Sequence, residues 1–367
     1  MAKPRFIALF LTISLAWVGA TGSIAAADGQ QTVGAAERPP YQPAPELRDF
    51  LKALNQIGND LDSMTAESVP GLWLSREVNA RKVLKSIPME SIRDSCVPAR
   101  NHQIPIRIYT PRDKKLARGG KLPILVYLHG GGWTLGSIAT NDSITRALAN
   151  EIPALVISVD YRLAPEHPFP AGAEDAYLAM EWVARNAEEI GGDPARIAVA
   201  GDSGGGALAT VTARKAKQAG IGIVFQALFY PSTDISRTDY PSYDQYGQGY
   251  LLTKKSVESF RKFYLPNLHD WTNPDASPLR ASNDDLAVLP PTLIIVAGCD
   301  PLREEGIAYA RKLRDNGVPV TSRTDKEMIH GFLSFYNSAL TPAISRRVEP
   351  VLQDAAAAIR NAFMTSR

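Results

Sequence analysis

Residues 201–206, with the sequence GDSGGG, decide the fold that this chain predicts. A short apolar run at residues 197–200 precedes them, and an Ala- and Thr-rich helical pattern at residues 207–219 follows them. A residue between a buried strand and a helix lies on a sharp turn, and the glycines two positions before and after Ser203 have the small size that such a turn requires. The start of the helix also directs backbone N–H groups and a positive dipole end toward the serine. Ser203 is therefore the candidate nucleophile.

The same six residues fit two unrelated signatures of serine hydrolases. As G-x-S-x-G they form the nucleophile elbow of α/β-hydrolases, in which the acid and the histidine follow the serine. As G-D-S-G-G they match the serine loop of chymotrypsin-like proteases, in which both partners precede it. The upstream histidines are His102, His129 and His167, and none has the sequence neighbours found in such proteases. Because the chain also lacks an all-β pattern, we retain the first signature.

Strand and helix patterns alternate along most of the chain. Short runs rich in Val and Ile, bounded by turn residues, predict strands at residues 104–109, 123–128, 154–159, 197–200, 227–230, 292–297 and 318–324. Helical patterns lie between and after them, at residues 141–150, 173–190, 207–219, 303–316 and 345–363. This alternation predicts an α/β fold with a mainly parallel central sheet flanked by helices.

The N-terminal region predicts a processed leader and a cap. Lys3 and Arg5, the apolar run at residues 6–20 and the alanines at 25–27 have the layout of a signal peptide at residues 1–27, although an uncleaved membrane anchor has the same pattern. We expect an exported protein, periplasmic or secreted, without a stable membrane span after processing. In this prediction, three further segments follow the signal peptide: a flexible leader at 28–44, a helical cap segment at 45–95 and a catalytic domain at 96–367.

Composition narrows the function classes. The chain has 367 residues, 45 % of them hydrophobic, which is enough for a large core. Its 40 basic and 38 acidic residues nearly balance, and no long Lys/Arg run suggests nucleic-acid binding. In an exported protein Cys96 and Cys299 could form a disulfide, although Cys299 at the end of an apolar run equally fits a buried thiol.

The order of residues after Ser203 selects its catalytic partners. The downstream histidines are His269, in a polar stretch, and His330, which follows a predicted strand. Asp300 directly follows the apolar run at 292–299, whereas Asp325 lies too near His330 in the sequence. We therefore expect Ser203 to attack an acyl carbonyl, His330 to take and return its proton, and Asp300 to orient the imidazole.

A glycine run supplies the expected oxyanion hole. The sequence HGGGW at residues 129–133 directly follows a predicted strand, and glycines let backbone N–H groups approach a developing oxyanion without a Cβ in the way. Gly131 and Gly132, together with Gly204 after the nucleophile, are the expected donors.

Taken together, these motifs resemble the hormone-sensitive-lipase-like esterases of the α/β-hydrolase superfamily, also called bacterial family IV. One departure is Gly204, where the family usually has Ala. The matching stretches follow the family's order over about residues 100–362: HGGGW at 129–133, DYRLAPEHPFPA at 160–171, GDSGG at 201–205, DPLREEG at 300–306 and HGF at 330–332. The resemblance implies an enzyme that hydrolyses short- to medium-chain acyl esters of small molecules without a metal or a cofactor.

The resemblance also assigns roles around the site. Asp202 and Glu166 are expected to hold other groups in place, and Tyr161-Arg162 to form a buried ion-pair turn. We expect Trp133 and Phe332, at the ends of two motifs, to contact the substrate. The tyrosine-rich stretch at 230–252 either lines the acyl pocket with the cap or faces solvent.

Other functions fit the same residues. Deacetylation or amide hydrolysis would use the same triad. A non-catalytic small-ligand receptor on this fold is known among relatives that have lost the histidine, but His330 is present here. A homodimer is compatible with the sequence.

Overall fold

The computed structural model describes residues 39–366, so the predicted signal peptide lies outside the described residues. This part of the chain forms one eight-stranded sheet with the strand order β1-β2-β4-β3-β5-β6-β7-β8. The strands are β1 (Ser91–Pro98), β2 (Gln103–Thr110), β3 (Leu122–Leu128), β4 (Leu155–Val159), β5 (Gly192–Asp202), β6 (Ile223–Phe229), β7 (Thr292–Cys299) and β8 (Val320–Ile329). Strands β3 to β8 run parallel, and β2 is antiparallel to both of its neighbours. The predicted α/β fold with a mainly parallel sheet is confirmed.

Helices cover both faces of the sheet. Within the described residues they are α1 (Pro45–Ile57), α2 (Val69–Val83), α3 (Asp142–Glu151), α4 (Ala171–Asn186), α5 (Gly204–Gln218), α6 (Pro241–Tyr246), α7 (Lys254–Tyr264), α8 (Asn283–Ala287), α9 (Arg303–Asp315) and α10 (Pro342–Thr365). Side chains alternate along each strand. In β3, therefore, Ile124 and Val126 pack with α4, α5 and α9, while Leu125 and Tyr127 pack with α1, α3 and α10. The core thus consists of two layers.

The N-terminal helices lie on the catalytic domain as a cap. The buried stripe of α1 includes Leu47 and Leu54 and belongs to the same core layer as α10. Leu61 and Val69 pack against Phe260 of α7 in a third, smaller cluster. The Trp73 indole N–H donates to the carbonyl of Gly136 at 2.8 Å, which joins α2 to the loop after β3. These helices bury their apolar residues only against the main domain.

Several elements differ from the sequence prediction. Strand β1 begins at Ser91, inside the segment predicted as a helical cap, because hydrogen bonding to β2 stabilises a strand whose residues are mostly exposed. Helix α7 was not predicted, although Thr253 forms a capping box with Ser256 at its start.

The two cysteines are free thiols. Cys96 lies exposed on edge strand β1 and Cys299 is buried in β7, with five strands between them in the sheet. A disulfide is therefore ruled out by distance. No helix in residues 39–366 is long and apolar enough to cross a membrane.

A buried arginine anchors the start of β5, the strand that leads to Ser203. The Arg196 side chain is 1 % exposed and pairs with Asp193 at 2.6 Å. It also donates to the carbonyl oxygens of Leu116 at 2.8 Å and Lys121 at 3.0 Å. Removing this side chain would take one donor away from a carboxylate and from each of two carbonyl groups.

We predict that Arg196→Ala lowers the free energy of unfolding by about 3 kcal/mol, since one partner of a buried ion pair is lost. Urea denaturation measures this change. Arg185→Ala is the matched control, because Arg185 pairs with Glu181 on the surface of α4 and is 71 % exposed. That control should change stability by less than about 0.5 kcal/mol. Equal effects of the two substitutions would contradict the anchoring role.

Candidate active site

Ser203 lies on a strained turn between β5 and α5. Its φ is +54°, in the left-handed region that a residue with a side chain rarely adopts. A Cβ on Gly205 would overlap the carbonyl oxygens of Leu128 and His129, and a Cβ on Gly201 would overlap the carbonyl of Gly205. The turn therefore closes only because these two positions are glycine.

Three predicted residues form one hydrogen-bonded chain. His330 Nε2 lies 2.8 Å from Ser203 Oγ, and His330 Nδ1 lies 2.8 Å from Asp300 Oδ2. Asp300 follows β7 and is fully buried, and His330 follows β8. The other Asp300 oxygen accepts the Leu302 N–H at 2.8 Å, which fixes the orientation of the carboxylate. His269, by contrast, lies exposed on the surface.

The three expected oxyanion donors lie beside the serine. Gly131 and Gly132 have φ values of +128° and +61° and line the same cavity as Ser203. Gly204 is the first residue of α5, directly after the serine. Within residues 39–366, the backbone N–H groups of these three glycines donate no hydrogen bond. They are therefore available to an oxygen atom of a ligand.

Asp202 joins the turn at Ser203 to the loop of residues 129–133, the glycine loop. Its Oδ1 accepts the Gly130 N–H at 2.9 Å and the Tyr127 hydroxyl at 2.8 Å, and its Oδ2 lies 3.4 Å from the Tyr230 hydroxyl. Burial raises the pKa of Asp202, and these hydrogen bonds act in the opposite direction. The Asp202 carboxylate thus fixes Gly130 relative to the turn that carries Ser203. This contact fits the positioning role expected for Asp202.

A second buried acid was missed from the sequence. Glu166, expected to hold other groups in place, is exposed and makes no hydrogen bond within the described residues. Glu305 is fully buried instead and accepts the Thr233 N–H at 2.8 Å and the Tyr243 hydroxyl at 3.3 Å. Burial raises the pKa of Glu305 well above its usual range. In the sequence, the only indication of a role for Glu305 was its position in the DPLREEG motif.

The Tyr161-Arg162 turn supports the glycine loop from below. The Tyr161 hydroxyl donates to the carbonyl of His129 at 2.6 Å, and its ring stacks on the His129 ring. Arg162 forms a two-pronged ion pair with Asp175, with both donor–acceptor distances at 2.9 Å. The expected ion pair is present, with Asp175 as its buried member.

Both residues expected to contact the substrate lie in the core instead. Trp133 stacks on Tyr264 with 4.5 Å between ring centroids, and Phe332 meets Tyr230 edge-on at 4.9 Å. Neither side chain lines the cavity at Ser203. Contact of these two residues with the substrate stays a prediction; position in a motif does not determine side-chain direction, and both rings pack on buried aromatic neighbours.

A cavity of about 210 Å³ leads to the serine. Of the stretch at 230–252, only Leu251 and Leu252 line it, while Tyr243 and Tyr246 are buried elsewhere. The stretch is therefore neither a solvent-facing loop nor the main pocket wall. The apolar lining comes from the cap and from loops above the sheet: Phe50, Leu61, Val83, Leu84, Leu135, Leu251, Leu252, Phe260 and Phe335. No cluster of His, Cys, Asp and Glu that could hold a metal ion occurs in residues 39–366.

Known proteins similar to this chain include several esterases. A family model described as an alpha/beta hydrolase fold matches residues 125–334. Carboxylesterase NlhH of Mycobacterium tuberculosis is 44 % identical over 238 residues, covering 63 % of this chain and 72 % of that protein. Carboxylic ester hydrolase LipN of the same species is 38 % identical over 323 residues, covering 81 % and 84 %. The solved Pyrobaculum calidifontis esterase superposes with a TM-score of 0.78 at 37 % identity, covering 89 % of this chain and 100 % of that one.

We predict that Gly205→Ala lowers the free energy of unfolding by about 2–3 kcal/mol, because the added methyl group overlaps two backbone carbonyls that cannot move freely. It should also slow the labelling of Ser203 by a fluorophosphonate. Gly222→Ala is the control, since a Cβ there meets open space at an ordinary φ. Urea denaturation and timed labelling give the two readouts. If both variants behave like the unchanged protein, the turn tolerates a side chain and the packing argument fails.

Proposed function

This chain belongs to the α/β-hydrolase family, within the hormone-sensitive-lipase-like group, and we propose that it hydrolyses carboxylic esters through an acyl-enzyme on Ser203. Its relatives support the activity as a carboxylic ester hydrolase. The observation that carries the mechanism is the continuous hydrogen-bonded chain from Ser203 through His330 to Asp300, which opens onto an apolar cavity.

The first half of the proposed reaction forms the acyl-enzyme. Ser203 Oγ attacks the carbonyl carbon of the ester, and its proton passes to His330 Nε2. Asp300 accepts the hydrogen bond from His330 Nδ1 and stabilises the imidazolium. When the tetrahedral intermediate collapses, the bond to the alkoxy group breaks and His330 gives its proton to the departing alcohol.

The second half regenerates the enzyme. A water molecule gives a proton to His330 and attacks the acyl carbon, and Ser203 Oγ leaves with the proton returned by His330. In both halves, negative charge develops on the carbonyl oxygen. The N–H groups of Gly131, Gly132 and Gly204 are the proposed donors to this oxygen, and each such donor contributes about 3–4 kcal/mol to transition-state stabilisation in comparable enzymes.

The cavity supports short- to medium-chain acyl esters as the substrate class. Its volume is modest and its walls include nine leucine, valine and phenylalanine side chains, which favour an acyl chain over a sugar or a peptide. Deacetylation and amide hydrolysis use the same residues, so an amide substrate is a necessary comparison. A receptor that has lost catalysis would not keep the hydrogen bonds at His330.

From the N-terminal sequence pattern alone, we also propose that the protein is exported. The homodimer stays a prediction.

We predict that Ser203→Ala lowers kcat for p-nitrophenyl butyrate by at least about 10⁴-fold, because the nucleophile is lost. Asp300→Asn should lower kcat by about 10⁴-fold, since the imidazole then takes the wrong tautomer. Asp325→Asn is the matched control, because this carboxylate pairs with Arg323 on β8 and lies outside the hydrogen-bonded chain.

Retained hydrolysis in Ser203→Ala would overturn the proposed nucleophile. A faster reaction with p-nitrobutyranilide than with the butyrate ester would favour the amidase instead.

We predict that kcat/KM for p-nitrophenyl esters peaks at about four to eight acyl carbons and falls for longer chains, because a cavity of this volume cannot bury them. A series of acyl chains measured below saturation tests this. Phe260→Ala, which removes a ring from the cavity wall, should move the peak to longer chains. Rates that keep rising past about twelve carbons in the unchanged protein would contradict a limit set by the cavity volume.

A further inference from the structure

One face of the cap helix α2 forms part of the cavity wall. The lining residues that α2 and its C-terminal end contribute follow Arg76 by three, four, seven and eight positions, which is the spacing of a single helical face. They are Arg76, Asn79, Ala80, Val83 and Leu84. The hydrogen bond from Trp73 to Gly136 holds this part of the helix against the glycine loop. The cap therefore presents one arginine to the same cavity as the nucleophile.

The Arg76 guanidinium has no protein partner in the described part of the chain. No carboxylate of residues 39–366 lies within 4.0 Å of its nitrogens, and it donates no hydrogen bond to those residues. Within residues 39–366 it is also the only Lys or Arg that lines the cavity. A partly buried cation beside partly apolar walls is stabilised by a partner of opposite charge.

The nearby acids do not fill this role. Burial lowers the pKa of Arg76, and the negative charge of Asp60 partly offsets that effect from beyond ion-pair distance. Burial raises the pKa of the Asp60 carboxyl, the positive charge of Arg76 acts in the opposite direction, and the two groups form no ion pair. Asp202 also borders the cavity, but its oxygens already accept hydrogen bonds from Tyr127, Gly130 and Tyr230. Arg76 keeps its charge, since a guanidinium does not deprotonate in a protein.

We propose that Arg76 binds a carboxylate carried by the ester substrate, at a distance from the bond that is cleaved. This inference rests on the proposed esterase activity and names its substrate class. A planar guanidinium pairs with a carboxylate through two parallel hydrogen bonds, which supplies both charge compensation and orientation. The carboxylate belongs either to the acyl half, as in a monoester of a dicarboxylic acid, or to the alcohol half, as in an ester of a hydroxy acid.

Two matched substrate pairs separate these sources. Monoethyl adipate and ethyl hexanoate differ by a carboxylate in the acyl half, and 4-butyryloxybenzoate and 4-methylphenyl butyrate differ by one in the alcohol half. Release of acid or alcohol, followed by chromatography, gives kcat and KM for each substrate. The quantity compared is the ratio of kcat/KM for the charged member to that for the neutral member.

We predict that Arg76→Gln lowers this ratio roughly 10- to 100-fold for at least one pair, through a higher KM for the charged ester, because a charge-assisted hydrogen bond is lost. Arg76→Lys should retain part of the ratio, since it keeps the charge and loses the planar fork. Asp60→Asn should raise the ratio, because it removes a competing negative charge. Arg81→Gln is the control: it lies on the same helix, is 70 % exposed and pairs with Glu77 on the outer side.

The outcomes test the carboxylate site at Arg76 separately from the proposed esterase activity. If the unchanged protein hydrolyses the neutral esters and Arg76→Gln leaves both ratios unaltered, the carboxylate site is overturned while the esterase stands. An equal loss on charged and neutral members would likewise overturn it, because Arg76 would then be structural. If no ester of either pair is hydrolysed by the unchanged protein, the proposed function itself fails.

Discussion

The left-handed backbone of Ser203 is the constraint on which the rest of the site depends. A side chain at φ +54° is unfavourable, and it persists because Gly205 packs without a Cβ against the carbonyls at the end of β3. That contact brings α5 close to the glycine loop that follows β3. Asp202 then secures the two segments by accepting the Gly130 N–H. One close approach of backbone to backbone thus sets the position of the serine and of the glycines beside it.

The parallel sheet brings Asp300 and His330 to the same edge as Ser203. In parallel strands, the carboxyl ends lie together, so loops after β5, β7 and β8 meet above one edge of the sheet. His330 is 127 residues from Ser203 in the sequence and 30 from Asp300, yet both of its nitrogens lie at 2.8 Å from these partners. A buried hydrogen-bond network around Glu305 links α9, which follows Asp300, to the loop after β6. Rigid strands therefore supply the precision that the hydrogen-bonded chain requires.

The cap has a different task from the sheet. Its helices contribute no member of the hydrogen-bonded chain, but α1 and α2 line the cavity with Phe50, Val83 and Arg76, the only Lys or Arg that does so within residues 39–366. Because these helices bury their apolar faces only against the main domain, the shape of the cavity depends on how they dock. The members of the hydrogen-bonded chain therefore come from the main domain, whereas the cavity wall comes from both parts of the fold.

The sequence by itself determined the strand pattern of the sheet, the position of the turn at Ser203 and the order in which its partners follow. These features leave local signatures, because buried strands need continuous apolar runs and a sharp turn needs glycine. Only the tertiary structure decided the directions of Trp133 and Phe332, the burial of Glu305 rather than Glu166, and the existence of β1, which a neighbouring strand stabilises. Side-chain direction and burial depend on contacts between residues far apart in the chain, and such contacts leave no periodic pattern in the sequence.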